Sequence, residues 1–176
     1  ERSSMSKGHR TYVTVYNFTG KDFANLDKSV TIESSDLFEQ IVPFRHEWGD
    51  IAHIELEDLE FDERNNQLTF TCETKWHTPK EWLRAASCTP HFSGKLITAA
   101  GISSGENFVE GCAFMSHDLL QDVNLVNVEP EVIGEMYEND EVDEIDHLLW
   151  KPIEEFNRRC EELYIEDAES GGEEYE

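Results

Sequence analysis

Basic residues are what this chain has least of: 14 Lys and Arg stand against 39 Asp and Glu, leaving a formal net charge of −25. Affinity for nucleic acid rests on cations that neutralise phosphates, so direct nucleic-acid binding is excluded as a first expectation, and anionic membranes are repelled for the same reason. Nowhere does an apolar run approach the ~20 residues a membrane span needs. No charged-then-apolar leader opens the chain either, so a soluble cytoplasmic protein is expected. The four cysteines, Cys72, Cys88, Cys112 and Cys160, include no Cys-x-x-Cys pair. Neither a zinc site nor a disulfide framework is therefore signalled, and buried free thiols are expected. The seven histidines, His9, His46, His53, His77, His91, His117 and His147, form no close i, i+4 pair and join no ligand pattern, so they read as ordinary surface or edge residues. No cofactor and no metal is called for.

What is there is concentrated acid. Residues 129–176 hold 19 acids and 3 bases, and residues 47–63 hold eight acids and no Lys or Arg, whereas residues 64–128 are nearly neutral. Such a chain attracts basic protein surfaces, including the clefts of nucleic-acid-binding proteins. The run 139–144 has oxygen ligands suited to calcium but lacks the glycine and the alternation of an EF-hand loop.

Periodicity supplies the fold. Leu68, Phe70 and Cys72 alternate with Thr69, Thr71 and Glu73, the period of a strand with one buried face. Thr78, Pro79 and Glu81 then spell a capping box that opens a short helix over Trp82, Leu83 and Ala86. Upstream, residues 11–18 carry Tyr12, Thr14, Tyr16 and Phe18 on one face and Val13 and Val15 on the other, which predicts a central strand. Residues 20–28 read as a loop or a turn of helix, residues 30–33 as a brief extended piece, and Ser34 or Ser35 caps a helix through Leu37 and Ile41 that Pro43 stops. Residues 51–61 form a second strand whose register changes near Glu57 or Asp58, as a bulge would make it. The polar turn 64–67 closes a hairpin.

Residues 91–100 and 107–115 pair around Gly101-Ile102-Ser103-Ser104-Gly105. That loop matches the letters of a hydrolase nucleophile elbow, but strand-like sequence follows it, which favours a hairpin. Residues 121–126 add a last short strand. From Pro130 the period turns helical, and Pro152 can open a final helix with Ile153, Phe156, Cys160, Leu163 and Tyr164 on one face. The order strand, helix, strand, strand, helix, strand predicts an α+β ferredoxin-like sandwich, an antiparallel sheet with two helices, carrying an extra hairpin and a C-terminal acidic helical segment. One sheet face is expected to be covered by helices and the other left free. The expected organisation is a tag or disordered N-terminus at 1–10, the sandwich at 11–128, an acidic helical extension packed on it at 129–165, and a disordered acidic tail at 166–176.

Three stretches carry a family resemblance: Phe38-Glu39-Gln40-Ile41-Val42-Pro43, then Glu47-Trp48-Gly49, then Leu68-Thr69-Phe70 running to Glu73-Thr74-Lys75-Trp76, with Pro79 and Leu83 behind. In order and spacing they resemble the YubB-like ferredoxin-fold family of plasmid-, integrative-element- and phage-encoded proteins. The resemblance covers about 12–126. A second tryptophan often follows the family's Trp-Gly, and here Ile51-Ala52-His53 occupies that region. The resemblance implies a mobile-element origin and the fold above, and no reaction.

Trp48, Trp76, Trp82 and Trp150 could stack on bases in principle, but the charge argues for core packing instead. The functional expectation follows from charge geometry. Same-face carboxylates repeat every ~6.8 Å along a strand and every ~5.4 Å along a helix, a spacing that can imitate a phosphate backbone. The candidate partner-binding residues are Glu55, Glu57, Asp58 and Glu60 on the second strand, with Glu135, Glu138, Asp140, Glu141, Asp143, Glu144 and Asp146 in the C-terminal segment. They point to a non-enzymatic inhibitor or nucleic-acid mimic of the anti-restriction or anti-CRISPR type, engaging a basic nucleic-acid-binding host or defence protein. The rival from another class is an assembly protein that forms a homodimer or larger oligomer through the apolar faces at 145–150 and 153–164.

Overall fold

A computed structural model describes residues 8–33, 37–42, 55–74, 77–103, 108–127 and 130–166. Their elements run β1 (His9–Tyr16), α1 (Gly20–Ser29), α2 (Leu37–Ile41), β2 (Glu55–Asp62), β3 (Gln67–Thr74), α3 (Lys80–Ala86), β4 (Ile97–Ser103), β5 (Phe108–Met115), β6 (Asp118–Asn127), α4 (Pro130–Glu138) and α5 (Val142–Glu161), closing in a π turn at Glu162–Glu166. The six strands make one sheet in the order β2-β3-β1-β4-β5-β6. Every neighbouring pair is antiparallel. The architecture is α+β, with six strands in place of a simple sandwich's four.

β1 is central because both of its faces demand cover. Val13 and Val15 point to a first face, where they are buried with Leu26, Leu37, Leu68, Phe70, Trp82 and Phe92 under α1, α2 and α3. Tyr12 and Tyr16 point to the second. There Tyr16 packs with Leu96, Ala113, Phe156 and Cys160, and Ala100, Val109 and Val126 pack with Ile153. α5 lies across β4, β5 and β6 on that face, and Trp150 sets its ring edge-on to Tyr12 at 4.6 Å between centroids. The second face, expected to be free, is therefore helix-covered over much of its width.

Three bulges shape the sheet. On β2, Glu57 pairs with Thr71 and Glu60 with Thr69, so three residues span two. Asp58 absorbs the extra step with φ of 55°, a conformation that Asp tolerates better than most residues. On β6 the two register shifts leave Leu120 and Leu125 as the extra residues, and both pack on the apolar stripe of α5. Expected as a short strand, β6 is thus ten residues long. The turn from β5 into β6 has Ser116 at φ 51° and His117 at φ 83°, the paired positive values of a tight hairpin turn, here without the usual Asn or Gly.

Four local expectations need correction. Residues 20–28 are not a loop: Thr19 and Asp22 form a capping box, Thr19 Oγ1 accepting from the Asp22 amide at 3.2 Å and the Thr19 amide donating to Asp22 Oδ2 at 2.9 Å. The sparse apolar positions Phe23 and Leu26 hid this helix, which its cap and tertiary burial sustain. Residues 30–33 are bend and turn rather than strand. Thr78 does not cap α3, whose entry at Pro79 makes no side-chain capping bond. Pro152 sits inside α5 rather than at the start of a helix. The ~3 kcal/mol that an interior proline costs is offset because Ile145 and Ile153, on either side of it, are both buried. The Ser34 and Ser35 cap, Pro43, and the turn at Trp48-Gly49 lie outside the described residues.

Substitutions at two positions test this account in urea unfolding. Phe156→Ala, which empties the site where Gly111 lets the ring meet the sheet, should lose about 3–5 kcal/mol. Asp58→Val should lose about 1–3 kcal/mol by forcing a β-branched residue into the left-handed region, while Asp58→Gly should not destabilise.

Candidate functional site

The bulge at Asp58 decides what β2 presents. Leu56 and Phe61 pair with Cys72 and Leu68 on the core face, and Leu59 packs against the same core. Without the extra residue the alternation would break between Leu56 and Leu59; with it, Glu57, Glu60 and Asp62 all project from the second face. Glu55 stands opposite Glu73 at the start of the strand. Asp58 and Glu60 are exposed. Among the described residues one cation serves this row: Arg10 of β1 donates through Nε to Glu73 and through Nη2 to Glu57 Oε1 at 3.4 Å. The bond to Glu73 holds the guanidinium above its ordinary pKa. Asp62 is used locally, accepting from the amides of Arg64 and Asn65 and from Asn65 Nδ2, and these bonds lower its carboxyl below the usual range.

The second set of carboxylates begins on α4. Glu131, Glu135 and Glu138 fall at i, i+4 and i+7, one exposed stripe of a nine-residue helix that has no basic residue in its last turn. Asp140 turns the chain at φ 59°. Glu141 precedes α5 without a capping bond, and Asp143 and Glu144 are exposed in its first turn, where the helix dipole favours negative charge. Asp146 follows in the same helix. Further along α5 the acid is diluted by Lys151, Arg158 and Arg159, and Arg158 pairs with Glu162 at 2.8 Å. The candidate residues thus fall into two groups, an edge strand and the α4–α5 junction, and among the described residues no ion pair or hydrogen bond joins them.

A buried polar cluster escaped the sequence reading. His9 and Thr78, 2% and 3% exposed, share a 2.8 Å hydrogen bond between Nε2 and Oγ1. Thr78 Oγ1 donates in turn to Glu110 Oε2 at 2.8 Å. Lys80 Nζ closes the outer side, 3.3 Å from Glu110 and 2.9 Å from Asp122. Burial pulls the Lys80 ammonium down, but Asp122 and Glu110 outweigh that and raise it above its ordinary value. Two partners, the buried His9 and the half-buried Glu110, explain why Thr78 gives up capping α3. Gly101 on β4 makes room, since a Cβ there would collide with Thr78 Oγ1 and His9 Nε2. The cluster fastens β1, β5, β6 and the entry to α3 together, and no sequence signal could have found it, because His9 and Thr78 lie 69 residues apart. Reading His9 as a surface residue was wrong; it is core.

The remaining chemistry is sparse. β4 runs through Ser103 and pairs with β5, which begins at Phe108, so the described part of the nucleophile-elbow letters is strand and the next described element is a strand; Ser104 and Gly105 lie outside the described residues. Cys72, Cys112 and Cys160 are buried thiols, and burial pushes Cys112 up to about 12 and Cys160 to about 11. Cys88 is exposed, contrary to expectation. Trp82 is core; Trp48 and Trp76 lie outside the described residues. Among the described residues no group of three His, Cys, Asp or Glu could hold a metal, and no helix is long and apolar enough to cross a membrane.

No family model, curated protein or solved structure matches this chain.

Gly101→Ala should cost about 1–3 kcal/mol in urea unfolding as the cluster is pushed apart. The contribution of Lys80 has a definite pH signature. With its folded pKa raised, the stability it adds is complete below the unfolded value of 10.5 and is lost as pH rises through the folded value. The difference between the wild-type chain and Lys80→Met should therefore hold steady at neutral pH and shrink above that value, as followed by thermal melts across alkaline buffers.

Proposed function

We propose that this is a non-enzymatic acidic protein that engages a basic protein surface, that of a nucleic-acid-binding host or defence protein, with its ordered carboxylates standing in for phosphates. One observation supports the reading most: the Asp58 bulge keeps Glu57, Glu60 and Asp62 on a single face of an edge strand while Leu56, Leu59 and Phe61 stay in the core. Same-face positions on a strand are ~6.8 Å apart, close to the 3.4–7 Å scale on which a nucleic-acid strand repeats its charge. The stripe Glu131, Glu135 and Glu138 adds a second row on a helix. Both rows belong to regular elements, which keeps their spacing fixed in a way that a solvated tail does not.

The fold is part of the proposal. β1, β2, β3 and β4 stand in the order β2-β3-β1-β4, with helices between β1 and β2 and between β3 and β4. That order supports a ferredoxin-like core to which β5 and β6 are added at one edge. It is compatible with the resemblance to YubB-like proteins of plasmids, integrative elements and phages, and the proposed role is one that such elements need inside a host cytoplasm. The assembly alternative has less to work with. Ile153, Phe156, Cys160 and Tyr164 of the nominated apolar face pack on this chain's own sheet, leaving Leu163 as the exposed member.

Charge reversal tests the reading. The quadruple variant Glu57→Lys, Glu60→Lys, Glu135→Lys and Glu138→Lys, checked for folding by circular dichroism, should bind any basic partner captured by the wild-type protein at least ~10-fold more weakly in a titration. Equal binding by the variant discards the proposal.

A further inference from the structure

On the first face of the sheet, α1 and the loop that follows α3 stand apart along a cleft of about 300 Å3, lined by Asp22, Asn25, Lys28 and Ser29 of α1 and by Pro90 and His91. The segments that border it, residues 20–33 and 77–103, are all described. On α1 the lining residues fall at i, i+3, i+6 and i+7, one side of a helix. Beneath them Leu26 and Phe92 are buried in the common core. At one end Lys95 ties the walls, its ammonium 2.9 Å from Asp22 Oδ2 and 3.2 Å from the carbonyl of Asn17. The cleft is therefore shaped by packing that exists before any ligand arrives.

What the lining leaves unbonded sets the chemistry of the ligand. Among the described residues the Asn25 amide, the Lys28 ammonium and the His91 ring make no hydrogen bond or ion pair. Asp22 takes its bonds from the Thr19 amide, the Thr19 hydroxyl and Lys95 through Oδ2, so Oδ1 remains an acceptor. Ser29 spends its proton on the Asn25 carbonyl at 2.9 Å and keeps an acceptor oxygen. The free set is thus mixed: Lys28 donates, Asp22 and Ser29 accept, and Asn25 and a neutral His91 do both. An anion would use only the donors and a cation only the acceptors, each leaving the other half without partners. An anion is further opposed by the net charge of −25 and by the C-terminal end of α1, where Lys28 and Ser29 stand. Hydroxyl groups match the set, since each donates one hydrogen bond and accepts others. The volume lies at the small end of ligand sites, and Pro90 with His91, whose ring packs edge-on against Phe92, offers a surface for the C–H face of a ring.

We infer that this cleft binds a small uncharged polyol, a single sugar ring or a cyclitol. The site goes beyond the acidic-surface reading and is independent of it, because it stands on the opposite side of the sheet from Glu57 and Glu60 and uses none of the acids assigned to the partner.

The test titrates the full chain, labelled with nitrogen-15, with glucose, galactose, mannose and myo-inositol. The expected result is that at least one of them moves the amides of Asn25, Lys28, Ser29 and His91 saturably, with the roughly millimolar affinity open to a ligand of about a dozen heavy atoms. Asn25→Ala and Lys28→Met, both at exposed helical positions, should each weaken binding at least ~3-fold, and Lys21→Met, on the same helix but outside the cleft, should not. Saturable shifts confined to other residues, or no saturable shift with any of these polyols, overturn the site. Inorganic phosphate binding at the same amides more tightly than every polyol overturns the uncharged class, and full affinity in both variants overturns the assigned contacts. The acidic-surface reading survives each of these outcomes.

Discussion

A strand that is apolar on both faces has to be buried on both, and β1 imposes that requirement on the whole chain. Val13 and Val15 need the roof that α1, α2 and α3 supply. Tyr12 and Tyr16 need another, and the C-terminal helix supplies it through Trp150, Ile153, Phe156 and Cys160. Burying such side chains is worth roughly 1.5–3 kcal/mol apiece against the entropy of ordering the segment. This is how the acidic segment 130–166 becomes part of a folded body. Its carboxylates would otherwise repel one another into an extended tail.

The same division of faces explains the distribution of charge. Apolar positions are spent where helices meet the sheet, and acids occupy what is left: the outer strip of β2, the exposed stripe of α4 and the first turn of α5. Each bulge serves that separation. The one at Asp58 moves three carboxylates to one side, and those that free Leu120 and Leu125 curl β6 around α5. Edge strands twisted in this way also resist unwanted pairing with another sheet.

Much of this was legible in the residues. Strong alternation placed β1, β2 and β3, and the phase change between Leu56 and Leu59 located a bulge to within a residue, because only an inserted step keeps both leucines in the core. Beyond the brief piece at 30–33, six strands were expected and six stand among the described residues, but the strand expected over 91–100 begins only at Ile97 and runs on to Ser103, and the turn expected at 64–67 lies at 63–66. What failed did so for reasons of distance or context. α1 has too few apolar positions to show a helical stripe, though Thr19 and Asp22 marked its start. Thr78 reads as a cap until His9 and Glu110 arrive from elsewhere in the chain. Pro152 reads as a helix start until tertiary burial on both sides of it is known. For the candidate site, composition found the acids, but only the pairing register shows which of them share a face and that Arg10 lies among them.

The central claim is that carboxylates held in register on a rigid scaffold bind a cationic protein by displacing what normally occupies its cleft. The most direct measurement is the dissociation constant for a captured basic partner from ~50 to ~200 mM salt, with and without duplex DNA as competitor. The account predicts that log affinity falls linearly with log salt and that DNA and this protein exclude each other. Affinity indifferent to salt, or a ternary complex with DNA still bound in the cleft, would contradict it.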